Sequence, residues 1–93
     1  MPDHLENRNY PAAMTVAGSD SGGGAGIQAD LRTFSWFRVF GTSAITAVTF
    51  QNPLEVNGIE AVSPAGVGAQ IATIRKVFEL KAVKTGMLFR RQS

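Results

Sequence analysis

Hydrophobic residues follow two rhythms along this chain. Brief, nearly unbroken apolar runs, "AMTVA" at 13–17, "GTSAITAVTF" at 41–50 and "KAVK" at 81–84, have the length and β-branched content of strands. The middle run is apolar nearly throughout, which predicts a strand covered on both faces, as in a parallel sheet. Between the runs the spacing changes. Ile27, Leu31 and Phe34 recur at i, i+4 and i+7 and predict a helix over about 25–37, with Trp36 and Phe37 extending its core-facing stripe. Ser63-Pro64 supplies an N-cap and a first-turn proline, and Val67, Ile71, Ile74 and Phe78 continue at helical spacing to about Leu80. Residues 54–62, with Val56, Ile59 and Val62 around Asn57-Gly58, fit a short extended excursion or a hairpin. The order strand, helix, strand, excursion, helix, strand is that of βαβ units, so the fold class is α/β with a mainly parallel sheet. Residues 1–11 read as a polar, flexible lead-in that carries the single histidine, His4, in an inert position.

Composition narrows the possibilities without deciding them. The 93 residues form one small domain at most, and 44% hydrophobic against 17% charged residues is a globular balance. A formal charge of +2 does not call for a polyanionic partner. The late basic residues Arg75, Lys76, Lys81, Lys84, Arg90 and Arg91 have no interleaved aromatics, so they read as solvated charges and no nucleic-acid partner is expected. No apolar run approaches the roughly 20 residues of a membrane span, and the opening residues lack the apolar centre of a signal peptide. With no cysteine, thiolate metal sites and cysteine nucleophiles are absent from the chain, which suits a cytoplasmic location.

In parallel sheets ligands bind beyond the carboxyl ends of the strands. Three features follow three strands at that edge: Gly18 with its glycine-rich loop, Gln51-Asn52, and Thr85-Gly86-Met87. A glycine loop that opens a helix usually cradles phosphate. Here Gly18 and Gly23 have the spacing of a P-loop, but Gly24-Ala25 stand where Lys and Ser/Thr are needed, and no G-x-G-x-x-G can be drawn through the remaining glycines. Either the loop admits something other than the phosphates of a Walker site, or its glycines serve a tight turn and close helix packing. Asp30, about one and a half turns into the helix, is a hydrogen-bond acceptor whose ionised state the helix dipole favours. Gln51 offers an acceptor and two donors, suited to the edge of a heteroaromatic ring, and Met87 could cover such a ring.

The blocks "TVAGSDSGGGAGIQADLRTFS", "GTSAITAVTFQN" and "AVKTGML" resemble three consecutive blocks of the hydroxymethylpyrimidine/phosphomethylpyrimidine kinases of thiamine biosynthesis, within the ribokinase-like superfamily. The likeness runs over about residues 13–88; "SWFRVFG" and the bulky Phe50 depart from the family pattern. It implies the N-terminal part of a three-layer α/β/α domain over 12–88, followed by a divergent tail at 89–93. It also implies phosphorylation of 4-amino-5-hydroxymethyl-2-methylpyrimidine and its monophosphate with ATP and Mg2+. Carried over, Gly18, Asp30, Gln51 and Met87 become substrate-binding residues. The ATP site, the anion hole and the catalytic base are expected outside this chain, which therefore holds no catalytic residue and reads as a truncated product. A pyridoxine-type vitamer is the alternative substrate, and a non-catalytic binding fragment the alternative role. Family members are expected to be homo-oligomers, and the uncovered edge of the last strand is expected to make this chain self-associate.

Overall fold

A computed structural model describes residues 10–86. His4, Arg90, Arg91, most of the lead-in and the 89–93 tail lie outside the described residues, as does Met87. The elements are β1 (Ala12–Asp20), α1 (Gly26–Trp36), β2 (Phe40–Asn52), β3 (Glu55–Ala61), α2 (Pro64–Arg75) and β4 (Leu80–Thr85). They form one four-stranded sheet in the order β3-β2-β1-β4. β2 and β4 flank β1 in parallel and β3 returns antiparallel to β2, so the sheet is mainly parallel as the pattern predicts.

Alternation along β1 separates the two helices. Met14 and Val16 join Ala44 beneath Val67, Ile71 and Ile74 of α2. Thr15, between them in sequence, faces the other way and donates to Asp30 of α1. One helix therefore covers each face. Residues 12–17 are all buried, because β1 has a strand on both sides and a helix on both faces.

Each element departs a little from its sequence-based bounds. β1 does not stop at Gly18; a bulge there, where Ala17 pairs with Ile45 but Ser19 with Val48, lets pairing resume as far as Asp20. The excursion is a hairpin, yet its turn is Pro53-Leu54, where Asn52 Oδ1 accepts from the amides of Leu54 and Glu55 at 2.8 and 3.1 Å. Gly58 instead lies within β3 opposite the Phe50 ring, leaving room for it. α2 starts as predicted, with Ser63 Oγ accepting from Gly66 N at 3.0 Å, but ends at Arg75 and not near Leu80. Leu80 is taken into β4, and Phe78 stacks on Phe40 with ring centroids 5.2 Å apart.

The stripe of α1 is shorter than expected. Ile27 is buried, and Leu31 and Phe34 close over Gly41, where a Cβ would meet both side chains. Trp36 and Phe37 are 82% and 69% exposed and do not extend it. At 100° per residue Trp36 lies half a turn away from Ile27, and Phe37 is already the C-cap from which Arg38, at φ 60°, turns the chain into β2.

Candidate functional site

A cavity of about 390 Å³ opens where β1, β2 and β4 end, walled by residues that include Gly18, Asp20, Gly26, Asp30, Gln51 and Lys84. It occupies the edge where the parallel topology places ligands.

The glycine loop is organised from within. Asp20, 8% exposed, accepts from Gly22 N at 2.8 Å and Gly24 N at 3.0 Å with its two carboxylate oxygens, and its own carbonyl accepts from Gly23 N at 2.8 Å. Gln28 reaches back from α1, accepting from Asp20 N and donating to Ser19 Oγ, both at 2.9 Å. Arg32 closes the far side with a 2.6 Å bond to the Gly23 carbonyl. The amides of Gly22 and Gly24 thus already hold an anion, one supplied by the chain itself. Those two amides are therefore not presented to a nucleotide phosphate, in keeping with the absence of a Walker lysine. At Gly26 the need for glycine is plain: φ is +62°, and a Cβ would run into the Gly18 carbonyl.

Gln51 stands at the end of β2 with its backbone locked by one hydroxyl. Ser21 Oγ donates to Gln51 O at 2.7 Å and accepts from Gln51 N at 2.8 Å. Its side chain is oriented by a relay: Gln51 Nε2 donates to Thr49 Oγ1 at 2.7 Å, and Thr49 Oγ1 donates to Ser19 O at 2.9 Å. Because the Thr49 proton is spent on a carbonyl, the amide must turn its nitrogen toward Thr49, which leaves Oε1 and the second amide hydrogen for other partners.

Asp30 meets two partners. Thr15 Oγ1 donates to its Oδ2 at 2.6 Å, and Lys84 Nζ lies 3.1 Å from Oδ1 and 3.3 Å from Oδ2. Burial pushes the carboxyl pKa up, but the Thr15 hydrogen bond and the Lys84 ammonium outweigh it and hold the group below the usual carboxylate range.

Of the residues singled out in the sequence, the structure brings Gly18, Asp30 and Gln51 to one cavity, and Met87 lies beyond the described residues. Lys84, grouped above with solvated charges, is instead tied to Asp30 in the cavity wall. Asp20, Gln28 and Thr49 were also missed. For Asp20 and Gln28 a signal existed, since a carboxylate just ahead of three glycines and an amide eight residues on can close a loop. For Lys84 none did, because only the β1–β4 register sets it beside Thr15.

Two helices on opposite faces of a mainly parallel sheet, with a cavity at the strands' carboxyl ends, define an α/β protein of the doubly wound kind. A sequence profile of the phosphomethylpyrimidine kinases matches residues 20–93, and the chain belongs to that family. It is 59% identical over 78 residues to the hydroxymethylpyrimidine/phosphomethylpyrimidine kinase of Synechococcus elongatus, covering 84% of this chain and 30% of the relative. The crystal structure of phosphomethylpyrimidine kinase from Clostridium difficile superposes with a TM-score of 0.83 at 44% identity, over 86% of this chain and 35% of that one. An ADP complex of Bacillus subtilis pyridoxal kinase gives a TM-score of 0.76 at 41% identity, over 85% and 30%. The chain thus spans about 30% of the length of the curated kinase it matches.

Proposed function

We propose that this chain is the substrate-binding portion of a kinase that uses ATP and Mg2+ to phosphorylate 4-amino-5-hydroxymethyl-2-methylpyrimidine and then its monophosphate. In that reaction the hydroxymethyl oxygen forms a bond to the γ-phosphorus, the bond to ADP breaks, and the hydroxyl proton passes to a base. Such chemistry depends on positioning and electrostatics, and the part assigned to these residues is positioning.

The observation that carries the reading is the gathering of Gly18, Asp30 and Gln51 around one cavity in a chain of this family. Gly18 brings bare backbone to the ring. Gln51, its amide oriented by Thr49, presents a neighbouring acceptor and donor to the ring's polar edge, and Met87 is assigned to cover the ring's face. Asp20 argues that any phosphate in the site is held elsewhere than on the Gly22 and Gly24 amides, since a phosphate arriving there would meet a carboxylate already in place.

Calorimetric titration of the chain with the hydroxymethylpyrimidine tests the reading, and Gln51→Ala should weaken binding by about 1 to 3 kcal/mol. Unchanged affinity in that variant would remove the amide from the site. A pyridoxal-type vitamer is the second reading, favoured by the likeness to pyridoxal kinase; tighter binding of pyridoxal than of the pyrimidine would establish it. The third reading, a binding fragment without turnover, predicts ligand binding but no ATP consumption in a coupled assay.

A further inference from the structure

We propose that Lys84 is the side chain through which this wall of the cavity meets its ligand, and that Asp30 is a positioning residue that holds it there. The pyrimidine reading above supplies the ligand's identity; the roles of the two side chains come from their geometry.

Asp30 has little left to offer a ligand. Oδ2 already accepts from Thr15 and Lys84, Oδ1 accepts from Lys84, and the side chain is 15% exposed. Lys84 is the opposite case. Its ammonium carries three N–H donors, the two Asp30 oxygens engage at most two of them, and the side chain is 56% exposed. Among the described residues it is the one cation in the cavity wall. A free lysine side chain samples many rotamers, so an exposed amine is a poorly placed donor. Here a carboxylate anchored by Thr15 fixes where the nitrogen sits before a ligand arrives.

An ammonium only donates, so its ligand partner is an acceptor with a lone pair. In an uncharged aminopyrimidine that is a ring nitrogen or the hydroxymethyl oxygen. Gln51 projects from β2 and Lys84 from β4, with β1 between them, so their strands lie roughly 10 Å apart. The two side chains therefore approach a bound ring from different sides.

The test is calorimetric titration of the whole chain and its variants with the hydroxymethylpyrimidine and with 4-amino-2,5-dimethylpyrimidine, which lacks the hydroxyl. Lys84→Met and Asp30→Asn should each weaken the hydroxymethylpyrimidine by about tenfold, and the double variant should be little worse than either, as expected of two residues acting through one contact. Lys84→Arg keeps a cationic donor and should stay within about threefold of the parent. Circular dichroism melts verify that each variant is folded. An equal loss with the dimethyl compound assigns the contact to a ring nitrogen, and a loss confined to the hydroxymethyl compound assigns it to the oxygen. Parent-like binding by Lys84→Met, or a further large loss when Asp30→Asn is added to it, would overturn the proposal. A parent that binds neither pyrimidine would instead overturn the pyrimidine reading, and the assignment to Lys84 with it, a result distinct from the others.

Discussion

Asp30 joins burial, a neutral donor and a cation at one carboxylate, and the balance among them fixes its acid-side behaviour. Its native pKa lies below that of the unfolded chain, so the stability this contact contributes is complete above the ordinary carboxylate pKa of about 4 and is lost as pH falls through the native value. Asp30→Asn should therefore reduce the fall in melting temperature on acidification below about pH 4; parallel curves for parent and variant would show that the carboxylate contributes nothing. Thr46 is the converse case. Its hydroxyl is buried without a partner among the described residues, so Thr46→Val, which keeps the shape and removes the orphan, should stabilise the fold by about 1 kcal/mol in denaturant titration. Destabilisation would mean the hydroxyl has a partner. Gly26→Ala combines a left-handed backbone with a collision at the Gly18 carbonyl and should cost more than about 2 kcal/mol by the same measurement. At this scale the sequence marked the glycines as special, but it left open whether a ligand or the chain itself requires them. For Gly26 the answer is the chain.

Pairing along β2 shows how far an element's neighbours decide what its sequence leaves undetermined. Its second half pairs with β3 from Ala47 to Asn52, while the first half has no strand on that side. There Gln70 of α2 takes the missing strand's place, accepting from Ile45 N at 2.8 Å and donating to Ile45 O at 2.9 Å. Gln70→Ala strips the half-buried Ile45 backbone of both partners and should cost about 1 kcal/mol, with faster hydrogen exchange at the Ile45 amide. An unchanged exchange rate would show that the clamp contributes nothing. Periodicity alone reads Gln70 as a polar position on an apolar helix. Its role depends on which strand α2 packs beside.

The whole molecule keeps considerable apolar surface uncovered. Among the described residues β4 pairs only with β1, and Val83 on it is 54% exposed; Trp36, Phe37 and Val77 are barer still. A free strand edge beside exposed apolar side chains invites pairing with another chain, although Lys81 and Lys84 put charge on this one. Sedimentation velocity should therefore show a weight-average mass that rises with concentration, and Val83→Lys should reduce the rise. A concentration-independent monomer would show that the edge is adequately guarded.

The apolar rhythms of the chain determined the type and order of its elements, because a strand or helix buries a face that its own short-range spacing defines. They also determined the edge of the sheet where the cavity lies, since in a parallel sheet the carboxyl ends and helix N-termini gather on one side. What had no local signature was left to the tertiary structure. Strand order and register set Lys84 against Asp30 across 54 residues, and the packing of α2 beside β2 set Gln70 against Ile45 across 25. Both depend on contacts between segments distant in sequence, and no spacing within one segment encodes them.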